Sequence, residues 1–105
     1  MSKRLEMIEG VLAKGSRDPN HWYMRAMELR ALGRLEEARE AYGAVRAEFP
    51  DYVPTYLMAV QVCAELGRAD EAREWGEQGL DLARATGETK AQSEIQEALD
   101  ALEGG

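Results

Sequence analysis

The stretch LGRLEEAREA occupies residues 32–41, and a near copy, LGRADEAREW, occupies residues 66–75. The two copies are identical at seven of ten positions and begin 34 residues apart. A fixed period of this length is typical of structural units that stack on one another and bury a shared core. Gly33 and Gly67 fall at the same place in each copy, where glycine can adopt the left-handed conformation that ends a helix. The repeat therefore predicts two equal helical hairpins.

The composition favours helix over strand and one domain over several. The chain has 105 residues, 45% of them apolar and 31% charged, and Ala, Glu, Leu and Arg dominate. These residues are good helix formers, and 105 residues are enough for one modest core. No stretch approaches the length of a membrane span, and the first residues lack the apolar core of a secretion signal. Together with a single cysteine, Cys63, this predicts a soluble protein of the cytoplasm.

The charge is unevenly distributed along the chain. The formal net charge is −7, and residues 53–105 carry 11 acidic and four basic side chains. A protein that binds nucleic acid needs a basic stripe to neutralise phosphates, and anionic membranes select for basic surfaces in the same way. The sequence therefore predicts neither a nucleic-acid partner nor a membrane partner.

Helix start and stop signals divide the chain into about six helices. Asp18 followed by Pro19 is a start signal, since aspartate caps a helix and proline suits the first helical position. Pro50 and Gly87 mark stops. The predicted helices are residues 2–14, 19–32, 35–49, 54–66, 70–86 and 88–102, with Gly104 and Gly105 as a tail. The connections between them are short, so we expect neighbouring helices to pack antiparallel.

Apolar spacing predicts which side chains face the core. The stripe of the first helix includes Val11, that of the second ends with Leu32, and Cys63 lies on the stripe of the fourth as a buried structural thiol. Gly76 stands where the first copy of the repeat has an aromatic side chain. We expect Trp75 or a residue of the last helix to fill the resulting hole.

The 34-residue unit resembles the tetratricopeptide repeat. That family has the pattern W-x2-L-G-x2-Y, then A-x3-F, then P. Residues 19–52 match it at Trp22, Ala38, Tyr42 (for Phe) and Pro50, and depart from it at Arg25, Ala26 and Leu29. Residues 53–86 match less well. The resemblance implies an all-α, short right-handed α-solenoid that spans 1–105 as a single domain, with an N-terminal helix (2–14), two repeats (19–52 and 53–86) and a capping helix (88–102).

The resemblance also implies a function, since the family binds proteins or peptides in a concave groove lined by the first helix of each unit. The second and fourth helices carry more apolar residues than a core stripe needs, including methionines, which adapt to varied apolar partners. These residues predict a groove for an apolar peptide or amphipathic helix. It is formed by Tyr23, Met24, Met27, Leu57, Met58 and Gln61, with Arg30 and Glu65 at its edge. The alternative is that helix 88–102 covers this surface and makes it core.

The sequence also bears on functions other than this adaptor or scaffold role. A homodimer or larger homo-oligomer that buries the same groove against itself is the second candidate. His21 is the only histidine, so one chain supplies neither a Ser-His-Asp relay nor a multi-histidine metal site, and we predict no enzyme, metal or cofactor. In members of the family that clamp acidic chaperone tails, the groove carries Lys, Asn and Arg. None of these is found at the same positions here, which are Tyr23, Met27, Met58, Glu88 and Gln92. A carboxylate ligand would meet no positive charge there, so the sequence disfavours this class of partner.

Overall fold

Helices account for almost all of the secondary structure. The computed structural model describes residues 2–104, and in that part there are six helices and no strand. The helices are α1 (Lys3–Ala13), α2 (Pro19–Ala31), α3 (Leu35–Glu48), α4 (Pro54–Glu65), α5 (Ala69–Thr86) and α6 (Thr89–Gly104). The all-α fold class predicted from the sequence is confirmed.

The helices form two compact units, Met1–Tyr52 (unit 1) and Val53–Gly105 (unit 2). In unit 1, α2 packs against both α1 and α3. In unit 2, α5 packs against α4 and α6, and α4 and α6 also touch each other. The division follows Tyr52, the residue at which the sequence repeat ends its first copy.

The local signals read from the sequence act at the helix ends. The Asp18 carboxylate accepts a hydrogen bond from the backbone N–H of Asn20 at 2.9 Å, and Pro19 is the first residue of α2. Gly33 and Gly67 both have φ of +76°, a conformation that costs other residues energy. The same turn therefore follows α2 and α4.

Small residues let the helices of unit 2 approach closely. A Cβ atom on Gly79 would lie 2.4 Å from Cβ of Tyr56 on α4, and one on Gly76 would lie 2.4 Å from Cδ2 of Leu99 on α6. Leu99 therefore occupies the space that Gly76 leaves, as expected for the last helix. Trp75, the other side chain considered for this role, is 2% exposed and packs against the Tyr56 ring with 5.7 Å between centroids.

Three sequence-based expectations were wrong. Val11 is 40% exposed rather than on the buried stripe of α1, because α2 is the main helix packed against α1 and leaves Leu5 and Ile8 buried and Leu12 half-buried. Leu32 is 42% exposed, since α2 ends one residue earlier. Gly104 lies in α6 and not in a tail: a glycine in the last turn can extend the hydrogen bonding without interrupting a longer helix. Gly105 lies outside the described residues.

Thr55 is buried in α4 with an unpaired hydroxyl group, which lowers the stability of the folded protein. Its side chain is fully buried, and Oγ1 has no hydrogen-bond partner among the described residues. An unpaired buried hydroxyl costs about 1–3 kcal/mol. We expect Thr55→Val to raise the free energy of unfolding by about 1 kcal/mol in urea denaturation, whereas Thr55→Ser, which keeps the hydroxyl and loses the methyl group, should lower it. A lower stability for Thr55→Val would contradict this account.

Candidate functional site

The four predicted site residues of unit 1 lie on α2, away from its buried face. Ala26 and Leu29 are buried against the rest of the protein, whereas Met24 is 38% exposed and Met27 is 44% exposed. Tyr23 and Arg30 are half-buried beside them. We call Tyr23, Met24, Met27 and Arg30 the α2 surface. On this surface the two flexible methionine side chains are exposed to solvent, and the Tyr23 ring and the Arg30 guanidinium lie beside them.

Aromatic neighbours hold Tyr23 in place. The centroid of its ring lies 5.4 Å from that of Tyr52 and 6.0 Å from that of Tyr42. The Tyr52 hydroxyl donates a hydrogen bond to Oδ1 of Asn20, which ties Tyr52 to the first turn of α2. Burial raises the pKa of Tyr23 and Tyr52 raises it further, while the nearby charge of Arg30 lowers it. Tyr23 therefore remains neutral at physiological pH and presents an apolar edge.

This pKa shift predicts how Tyr23 titrates. The raised pKa means that the folded protein favours neutral Tyr23 more than the unfolded chain does, so the associated stability is present below pH 10 and is lost as pH rises above it. We expect the absorbance at 295 nm of wild type minus that of Tyr23→Phe to titrate with a midpoint above the ordinary value of 10. A midpoint at or below 10 would contradict the described packing of the ring.

The start of α2 is fixed by a second aromatic cluster. Trp22 and Phe49 meet edge to face with centroids 5.4 Å apart, and the Arg17 guanidinium lies over both rings at 5.6 and 5.2 Å. Trp22 Nε1 donates to the carbonyl oxygen of Ser16 at 2.9 Å. Because α2 is anchored at this end, the α2 surface rests on a rigid element, which lowers the entropy cost of binding.

The four predicted site residues of unit 2 lie on α4. Leu57, Met58 and Gln61 are half-buried and Glu65 is exposed; we call these four the α4 surface. The opposite side of the helix, which includes Val60, is buried. Although α6 packs against α4, neither Leu57 nor Met58 is sealed from solvent. The single groove that joins the α2 and α4 surfaces remains a prediction.

Exposed apolar side chains are concentrated in unit 1. All five of the large apolar residues that are exposed among residues 2–104 belong to α1, α2 or the cap of α2: Met7, Val11, Met24, Met27 and Leu32. Sequence reasoning identified the two methionines of α2 but not Met7, which is 73% exposed. The sequence did contain a signal for the exposure of Met7: the apolar residues of α1 cover more of the helix surface than one neighbouring helix can bury.

The single histidine and the single cysteine both contact neighbouring side chains. His21 Nδ1 is hydrogen-bonded to the Ser16 hydroxyl at 2.7 Å, and the buried Cys63 thiol contacts the Glu71 carboxylate at 3.6 Å. Among residues 2–104 no three His, Cys, Asp or Glu side chains are grouped so that they could hold a metal ion. Over the same residues, no helix has the length and apolar character needed to cross a membrane.

Comparison with known proteins gives the following similarities. A family model for the tetratricopeptide repeat matches residues 29–88. The solution structure of a tetratricopeptide repeat domain protein from Salinibacter ruber is 32% identical with a TM-score of 0.78, and the alignment covers 83% of this chain and 88% of that one. No match was found among curated proteins.

Two more distant solved structures share the fold. A protein from Bordetella parapertussis is 22% identical with a TM-score of 0.84, and the alignment covers 97% of this chain and 89% of that one. PcrH, in complex with the chaperone binding region of PopD, is 16% identical with a TM-score of 0.87 over 95% of this chain and 76% of that one. At these identities the likeness concerns the fold alone.

Proposed function

The chain belongs to the tetratricopeptide repeat family, and on that premise we propose that it is a non-enzymatic adaptor or scaffold that binds an apolar peptide or amphipathic helix of a partner protein. The proposal assigns the binding to the α2 and α4 surfaces. It takes residues 1–105 as one domain, with repeats at 19–52 and 53–86. The single free cysteine is consistent with a cytoplasmic protein.

The exposure of Met24 and Met27 is the observation that carries the proposal. An exposed methionine costs little by itself, but two of them one turn apart on a helix whose start is rigidly anchored form an apolar patch. Methionine side chains adapt their shape to a partner, as in grooves that receive amphipathic helices. A structural neighbour, PcrH, is in complex with a segment of another protein, which supports a protein segment as the type of ligand.

A pair of synthetic peptides tests the proposal. The first has leucines at the spacing of one helical face and polar residues of balanced charge elsewhere; the second has the same composition in an order that breaks this face. We expect fluorescence anisotropy to detect binding of the first labelled peptide and at least tenfold weaker binding of the second. Equal binding of the two, or binding of neither, would contradict the proposed ligand class.

Self-association through the same surfaces is the alternative. It predicts an isologous dimer with twice the monomer mass of 11.7 kDa that Met27→Glu separates into monomers. In that case the amphipathic peptide should compete with dimer formation, because both would use the same apolar side chains. Light scattering with and without the peptide distinguishes this dimer from the adaptor.

A further inference from the structure

The exposed stripe of α2 is longer than its two methionines. Asn20, Met24, Met27 and Ala31 are all exposed, and they follow one another at intervals of four, three and four residues. Residues at this spacing lie in a line along one side of a helix. The stripe therefore has a polar side chain in the first turn of α2, two methionines in the middle and a small side chain at its last residue.

Tyr52 orients the side-chain amide of Asn20. The Tyr52 hydroxyl donates a hydrogen bond to Oδ1 of Asn20. Burial raises the pKa of Tyr52 and the charge of Asp18 raises it further, so this hydroxyl keeps its proton at physiological pH. Nδ2 of Asn20 has no partner among residues 2–104. Because Oδ1 is engaged, Asn20 presents two N–H donors to solvent beside the methionines.

The backbone donors around Asn20 are already used. The N–H of Asn20 donates to Oδ1 of Asp18 at 2.9 Å, and the N–H of His21 donates to the Asp18 carbonyl oxygen at 3.0 Å. The side-chain amide is therefore the group at this end of the stripe that can bind a ligand. The Asp18 carboxylate would repel a second carboxylate, which favours an uncharged acceptor.

The two parts of the stripe place opposite demands on a bound helix. Met24 and Met27 favour an apolar side chain, because contact removes apolar surface from water. An apolar side chain over Asn20 would instead bury its N–H donors without partners, which is unfavourable. A carbonyl group at that place would accept a hydrogen bond from Nδ2 and avoid this loss.

We propose that Asn20 is a further binding residue beside the α2 surface, and that the partner helix carries glutamine or asparagine at one end of its apolar face. This inference rests on the proposed function and adds a direction to it. One end of the apolar face meets the Asn20 amide, and the other meets Ala31, where the small side chain leaves room for a large apolar residue. The bound helix can satisfy both ends in one direction only.

Three labelled peptides test the proposal by fluorescence anisotropy. The first is the leucine-faced peptide that tests the proposed function. In the second, glutamine replaces the leucine at the amino-terminal end of the apolar face, and in the third it replaces the leucine at the carboxyl-terminal end. We expect one glutamine peptide to bind wild type more tightly than the leucine peptide and the other to bind more weakly. Glutamate in place of the favoured glutamine should weaken binding, because Asp18 repels it.

Asn20→Leu should reverse the preference for glutamine. The variant keeps the backbone N–H that donates to Asp18, and the leucine removes the donors that need an acceptor. We expect the ratio of the dissociation constants of the leucine peptide and the favoured glutamine peptide to fall by about tenfold or more relative to wild type. Glu40→Leu replaces an exposed polar side chain of α3 and should keep the wild-type ratio.

Tyr52→Phe tests whether Tyr52 positions the amide. The variant keeps the ring beside Tyr23 and removes the hydroxyl that holds Oδ1 of Asn20. The preference for glutamine should then decrease, while the leucine peptide should bind within a few-fold of wild type. A structural defect would weaken all three peptides alike. An unchanged preference in Tyr52→Phe would overturn the role assigned to Tyr52.

The same measurements separate this inference from the proposed function. If no peptide binds wild type, the proposed function fails and this inference fails with it. If the leucine peptide binds but neither glutamine peptide binds more tightly, the proposed function stands and the role of Asn20 is overturned. An unchanged ratio in Asn20→Leu would overturn it in the same way.

Discussion

Gly79→Ala should destabilise the protein by about 2 kcal/mol, although alanine is the better helix former. The new Cβ would lie 2.4 Å from Cβ and 3.0 Å from Cγ of Tyr56. The Tyr56 Cβ is next to its own backbone, so the contact can be relieved only if α4 moves away from α5. Overpacking of this kind costs about 1–3 kcal/mol, which exceeds the gain of up to about 1 kcal/mol from helix propensity.

Gly43→Ala is the matched control. Gly43 also lies inside a helix, α3, but a Cβ there would meet no other atom within 4 Å. We expect this variant to be more stable than wild type by about 0.5–1 kcal/mol. Urea denaturation followed by circular dichroism measures both changes, and the midpoints should move in opposite directions.

Gly76→Ala gives an intermediate case. Its Cβ would meet Cδ2 of Leu99 at 2.4 Å and Cγ at 2.8 Å, and these atoms move when the Leu99 side chain rotates, whereas a Cβ moves only with its backbone. The loss should therefore be smaller than for Gly79→Ala. If all three alanine variants were equally stabilising, the close approach of α5 to its neighbours would be wrong.

The residues that set local backbone geometry made the fold predictable. Gly33, Gly67 and the Asp18–Pro19 pair act through φ angles and short-range hydrogen bonds, so their effect can be read from a few neighbouring residues. The exposure of Val11 and Leu32 could not be predicted in this way. Burial depends on how many helices pack against a stripe, which is a property of the tertiary structure and not of the periodicity.

The candidate site was also predictable from local sequence pattern, but the tertiary contacts around it were not. Met24 and Met27 stood out because they are apolar outside the stripe that the core needs, and both are exposed. Leu57 and Met58 gave the same signal but are half-buried. A local pattern does not record that α6 packs against α4. The local pattern also gives no sign of the contact between the Tyr52 and Tyr23 rings, because these residues are 29 positions apart in the sequence.

Met27→Glu should reduce binding of the amphipathic peptide at least 30-fold while leaving the protein folded. At 44% exposure the glutamate can remain hydrated in the free protein, and methionine and glutamate have similar helix propensities, so stability should change by less than about 0.5 kcal/mol. A bound apolar segment would instead remove water from the carboxylate. Truncation of a central apolar contact costs about 2 kcal/mol or more, and burying an unpaired charge adds to this loss.

Two further variants make the result specific. Met27→Leu keeps an apolar side chain of similar volume and should bind within a few-fold of wild type. Met7→Glu makes the same chemical change on α1, outside the α2 surface, and should leave peptide binding unchanged. Leu57→Glu is a poorer probe, because Leu57 is half-buried and a charge there also affects folding. If Met27→Glu and Met7→Glu reduced affinity equally, peptide binding would reflect the added negative charge, and α2 would not be the docking surface.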